Sequence, residues 1–175
     1  MNNNQIQLPR LYIYLSDFKQ AHKFAAYILE KGLHNKKQTE LRELVHSAFN
    51  TSLIISYSRP FGPNYEFSGQ IPVKSSLKEF TSKVLSEDEV KLHDRVIDMR
   101  NSTYAHSQAR SHLIEGFDYN KYMAIMHFIL PLDKVAVGKL KNIIEKWIRY
   151  LEAEKSKLKG LQRSTSKDLF NPAPQ

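Results

Sequence analysis

The chain has 175 residues, 41% hydrophobic and 25% charged, a globular balance that argues against disorder and gives length for one full core. A formal net charge of +8 and a pI near 9.5 favour a polyanionic partner, whether RNA, DNA or an acidic protein surface. The absence of cysteine excludes a disulfide framework, a thiol nucleophile and a thiolate zinc site.

The opening stretch MNNNQIQLPR lacks the charged-then-apolar plan of a secretory signal. Next, 11-LYIYL-15 reads equally as an extended lead or as the approach to a helix. Ser16 or Asp17 then caps a first helix on which Phe18, Ala21, Ala25 and Ile28 recur, with Gly32 as its stop. Leu41, Leu44, Val45, Ala48, Ser52 and Ile55 form the apolar face of a second helix, which ends at Arg59-Pro60. Segment 59–76 holds three prolines and two glycines and reads as a long loop anchored by Phe61, Tyr65, Phe67 and Ile71. Arg59 at its start is a phosphate contact or else a partner for a helix end or a carboxylate.

One or two helical turns over 76–85 lead to a third helix. Ser86 with Glu89 three positions on is a capping box, and Leu92, Val96, Met99 and Thr103 follow in core phase. Arg100, Asn101, Tyr104 and His106 close that helix. Residues 119–130, YNKYMAIMHFIL, are almost continuously apolar. Periodicity does not separate buried helix from buried strand there, and the helical neighbours, Met and Ala favour helix. The apolar run at 123–130 falls far short of the roughly 20 residues of a membrane span, so a cytoplasmic protein with no membrane contact is expected.

Asp133 caps the last helix, on which Leu140, Ile144, Trp147, Leu151 and Leu158 form a stripe, and Gly160 is its expected stop. Its other faces carry Lys139, Lys141, Lys146, Arg149, Lys155 and Lys157. Nine Lys or Arg stand against three Glu between Lys134 and Arg163, which makes this helix the expected electrostatic footprint. The expected architecture is all-α, an antiparallel bundle of four or five main helices forming one domain over 10–160, followed by a flexible tail over 161–175.

Metal chemistry has little to stand on. His93, Asp94 and Asp98 share a helix but do not make the ligand set of a zinc or hard-cation site, and no HExxH or GxxxxGK[ST] motif occurs. No cofactor is expected. Phosphodiester chemistry without a metal needs a base for the 2′-hydroxyl, an acid for the leaving 5′-oxygen and a cation for the nonbridging oxygens. Histidine and arginine supply these, with Asn101 orienting either. His106 lies six positions past Arg100, about 240° around the axis, so one unbroken helix does not present them together. They converge if the helix unwinds near Ala105, or if each faces the other's copy across a two-fold axis. The plain alternative has Arg100 in a salt bridge, Asn101 and Ser102 ending a helix and His106 capping its carbonyls.

The stretch Arg100-Asn101-Ser102-Thr103-Tyr104-Ala105-His106 resembles the signature of the HEPN superfamily, an arginine and a polar residue followed by a histidine, here with five residues between Arg100 and His106. The wider LHDRVIDMRNSTYAHS is similar to HEPN-like microbial proteins in which such a motif closes a long helix. That resemblance implies an all-α homodimer whose paired motifs form one cleft. There RNA is cut without metal, leaving a cyclic phosphate and a 5′-hydroxyl. It further implies a toxin–antitoxin or phage-defence setting, with an antitoxin or regulatory protein as partner. Carried over, His106 moves protons, Arg100 holds the scissile phosphate and Asn101 positions both. Some toxin relatives carry a modifiable tyrosine two places after the histidine, where this chain has Gln108. Arg59, Lys139, Lys146 and Arg149 are the expected nucleic-acid contacts. The competing expectation is a noncatalytic helical module that binds RNA or a partner protein through the basic last helix.

Overall fold

The structure, a computed structural model, describes residues 8–34, 39–62, 64–65, 72–73, 76–101, 114–115, 125–126 and 132–170. Five helices carry it: α1 (Leu8–Glu30), α2 (Glu40–Ser58), a single turn α3 (Thr81–Val84), α4 (Glu87–Met99) and α5 (Lys134–Phe170). Two short 3₁₀ segments, Arg59–Phe61 and Ser76–Phe80, continue α2 and precede α3. Two antiparallel pairs of two-residue strands complete the described chain. Asn64–Tyr65 lies against Pro72–Val73, and Ile114–Glu115 against Ile125–Met126. The helix expected over 119–130 is therefore corrected at 125–126, where strand pairing takes the backbone hydrogen bonds.

The α1 helix packs against both α2 and α5. Its contacts run in opposite senses along each neighbour. Phe18 meets Tyr57 while Phe24 meets Phe49, and Tyr12 lies beneath Lys155 while Phe18 stacks on Trp147. Both pairs of helices are thus antiparallel. The core between them contains Leu11, Leu15, Phe18, Ala21, Ala25 and Ile28 of α1 with Leu140, Ile143, Ile144, Trp147 and Leu151 of α5. The stripe foreseen on α5 is buried from Leu140 to Leu151, while Leu158 is only partly covered.

Local chemistry explains the ends. Glu89 accepts from the Ser86 amide at 2.8 Å, closing the α4 capping box, and Asp133 Oδ1 accepts from the Ala136 amide at 2.7 Å at the start of α5. Gly32, at φ 57°, ends α1. The Leu33 amide donates to the Ile28 carbonyl and the Gly32 amide to that of Leu29, the paired bonds of a Schellman ending.

Three further sequence expectations change. α1 begins at Leu8, so LYIYL is helical and Ser16 and Asp17 lie inside the helix; Leu11, Tyr14, Leu15 and Phe18 bury a continuous helical stripe that outweighs the capping preference. On α2 the buried face is His46, Asn50, Leu53, Ile54 and Tyr57, whereas Leu41 and Leu44 are exposed. Asn50 is drawn inward because its Oδ1 accepts from the buried Leu132 amide at 3.1 Å. Gly160 does not stop α5, which continues to Phe170; a glycine weakens a helix but leaves its hydrogen bonds intact.

The two glycines should respond oppositely to alanine in chemical denaturation. Gly32→Ala places a Cβ in a left-handed conformation and should cost about 1–2 kcal/mol, whereas Gly160→Ala meets nothing within 4 Å and should stabilise by roughly 0.5–1 kcal/mol. Destabilisation by Gly160→Ala would contradict a helix running through that position.

Candidate functional site

Steps of four and three place His93, Ile97 and Arg100 on one stripe of α4, and that stripe forms one wall of a cavity of about 300 Å³. Ser58, Phe61 and Gly62 line it from the end of α2 and its 3₁₀ extension, and Lys78 from the segment before α3. Asp94, Asp98 and Asn101 complete the lining.

At Arg100 and Asn101 the α4 backbone widens into a π-turn, with the Arg100 amide still bonded to the Val96 and Ile97 carbonyls. Such widened turns are common where a helix serves a site, because they turn side chains out of the regular register. Arg100 Nη1 donates to Asn101 Oδ1 at 2.8 Å. The amide thus holds one edge of the guanidinium, which has further N–H donors to offer an oxyanion. His106, the third motif residue, lies outside the described residues, as do Thr103 and Tyr104.

Of the lining residues, His93 is buried and tied to the aromatic cluster behind it. Tyr57 and His93 share a 2.7 Å hydrogen bond between the hydroxyl and Nδ1, and the His93 ring meets the Phe61 ring edge-on at 4.5 Å. Burial pushes the Tyr57 hydroxyl well above its ordinary range, so it stays protonated. Burial likewise holds the His93 imidazole below its ordinary value; Asp94 opposes that shift and Lys78 adds to it. Formal charges on the lining balance, with Lys78 and Arg100 against Asp94 and Asp98.

The other expected contacts lie elsewhere. Arg59 pairs with Asp17 at 3.3 Å; burial raises the Asp17 carboxyl and the guanidinium only partly offsets it. Lys146 reaches the Glu89 carboxylate at 2.7 Å. Burial acts to raise the Glu89 pKa, but the hydrogen bonds from Lys146 and Ser86 prevail and hold it low. Lys139 and Arg149 are exposed, and their side chains make no hydrogen bond or ion-pair contact among the described residues. Elsewhere on α5, Lys141, Lys155 and Lys157 are paired with Glu145, Glu152 and Glu154.

Sequence reasoning set His93 beside Asp94 and Asp98 as a weak metal motif and did not reach Ser58 or Lys78. The seven-residue spacing to Arg100 was the available signal for His93. Among the described residues no group of three His, Cys, Asp or Glu is placed to hold a metal, and no helix is long and apolar enough to cross a membrane. The chain matches no protein-family model, no curated protein and no solved structure.

The buried His93 carries a pH prediction. The folded state keeps it neutral, whereas the unfolded chain takes up a proton near the ordinary value of 6.5. Its contribution is therefore intact above about pH 6.5 and is lost as the pH falls toward the depressed folded value. His46, also lowered by burial and by His34, acts in the same direction. Denaturant midpoints should drop between about pH 7 and 5, and His93→Asn should show a smaller drop. An identical pH dependence in the variant would contradict a neutral buried imidazole.

Proposed function

We propose that this chain is a HEPN-type, metal-independent endoribonuclease acting through a composite site in a homodimer. The observation that carries the reading is the Arg100–Asn101 pair, held at 2.8 Å on a π-turn that opens into a cavity shared with Lys78 and His93. In the proposed reaction Arg100 binds the nonbridging oxygens of the scissile phosphate. A histidine removes the 2′-hydroxyl proton, the 2′-oxygen attacks phosphorus, and the P–O5′ bond breaks as an acid protonates the leaving oxygen. His106 is the proposed proton-transfer group. One imidazole does not serve as base and acid in a single turnover without shuttling, so two copies of the motif across a two-fold axis supply both. A toxin or phage-defence role, restrained by an antitoxin or regulatory protein, is part of the same proposal.

The exposed Lys139 and Arg149 favour a second reading, a noncatalytic module that binds RNA or an acidic protein through α5. Its binding would weaken steeply with salt and survive His106→Ala.

Cleavage of mixed structured and single-stranded RNAs in excess EDTA separates the two readings. His106→Ala and Arg100→Ala, in preparations of the wild-type oligomeric state, should each lose roughly a hundredfold or more in rate. Wild-type products should end in a cyclic phosphate and a 5′-hydroxyl. RNA binding without cutting, unchanged by His106→Ala, would instead support the module.

A further inference from the structure

Two buried polar groups on the cavity wall have no part in the motif. Ser58 is 2% exposed and lines the cavity, and its Oγ is buried with no hydrogen-bond partner among the described residues. An unpaired buried hydroxyl is costly, and a serine so near a helix end has local carbonyls to which it would ordinarily bond. Oγ has almost no accessible surface as it stands, so a ligand atom in the cavity would complete it once the side chain turns toward that space.

His93 is 4% exposed and lines the same space. The buried phenol hydrogen of Tyr57 needs an acceptor, and His93 Nδ1 at 2.7 Å is that acceptor. With Nδ1 accepting, the ring proton of the neutral imidazole sits on Nε2, which has no partner among the described residues. His93 therefore has a fixed N–H donor to offer, aimed by Tyr57 and backed by Phe61 at 4.5 Å.

The remaining lining narrows the ligand. Lys78 and Arg100 attract a negative group, but Asp94 and Asp98 cancel their formal charge, which disfavours a compact polyanion. Balanced charge suits a molecule with one acidic group and several N–H or O–H donors. Phe61 and Ile97 give the cavity apolar wall, and about 300 Å³ lies at the small end of ligand sites. A ribonucleotide has these properties together: one phosphate, hydroxyls on the sugar, and a flat base with polar edges.

We infer that the cavity is a subsite for a single ribonucleotide unit of the RNA, with Ser58 Oγ and His93 Nε2 bonding the sugar-phosphate at the buried end and Lys78 and Arg100 taking the phosphate charge. That the unit belongs to an RNA strand rests on the ribonuclease reading; binding of the unit does not require cleavage.

The test is an NMR titration of the full chain that follows histidine side-chain ¹⁵N signals. The ligands are the four ribonucleoside 3′-monophosphates in turn, with inorganic phosphate in parallel. At least one nucleotide should shift the His93 signals and bind more tightly than phosphate alone. Ser58→Ala should weaken it by roughly tenfold, as should His93→Asn, whose amide oxygen still accepts from Tyr57. Unmoved His93 signals, unchanged affinity in both variants, or phosphate binding as tightly as every nucleotide would overturn the inference. Failure of the ribonuclease reading is distinguishable: RNA left intact by a chain that binds the nucleotide through His93 removes the nuclease and keeps the subsite. RNA cut by a chain whose His93 signals do not move removes the subsite alone.

Discussion

Phe18 of α1 lies flat against Trp147 of α5, ring centroids 5.8 Å apart and planes within 2°, and the rest of the described structure is assembled around that contact. Both rings are fully buried. Phe61 sets its edge against each of them, at 5.8 Å from Phe18 and 5.3 Å from Trp147, while Tyr57 meets Phe18 and Phe61. Aromatic pairs in this range add roughly 0.5–1.5 kcal/mol each beyond their buried area. The cluster therefore fixes the end of α2 and its 3₁₀ extension, the elements that bring Ser58 and Phe61 to the cavity. Through the Tyr57–His93 hydrogen bond the same cluster sets the rotation of α4, and with it the direction in which Arg100 and Asn101 leave the helix.

Charge is arranged to hold α4 from its other end. Glu87, Asp88 and Glu89 occupy its first turn, where the helix dipole favours anions. Glu89 closes the capping box and accepts from Lys146, so a single carboxylate links the start of α4 to the middle of α5. The opposite end, about 18 Å along the axis, carries the π-turn and the cavity. Pairing of Lys141, Lys146, Lys155 and Lys157 with neighbouring glutamates makes α5 less of an open cationic stripe than its composition suggests. Exposed pairs of this kind contribute at most about 1 kcal/mol apiece, so their main consequence is to neutralise part of the positive charge along α5.

Sequence periodicity was a good guide where apolar residues do the packing. The stripe from Leu140 to Leu151 and the Ser86–Glu89 box are placed as their spacing required. It misled on α2 because polar residues are buried there for specific partners: Asn50 answers the Leu132 amide 82 positions away, and no local pattern announces such a bond. Leu41 and Leu44, read as core, stay exposed for the complementary reason. The site divides in the same way. Arg100 and Asn101 are visible as a motif, and His93 is reachable from helical phase. Ser58 and Lys78 join them only through the packing of three separate segments, a tertiary fact that no spacing in the chain encodes.

The proposal that RNA is bound in the cavity beside Arg100 is tested most directly by a crystal structure with an oligonucleotide made uncleavable by a 2′-deoxy substitution. The account predicts one phosphate within hydrogen-bond distance of the Arg100 guanidinium and the adjoining nucleotide seated in the cavity. An oligonucleotide lying along Lys139 and Arg149 with the cavity empty would contradict it.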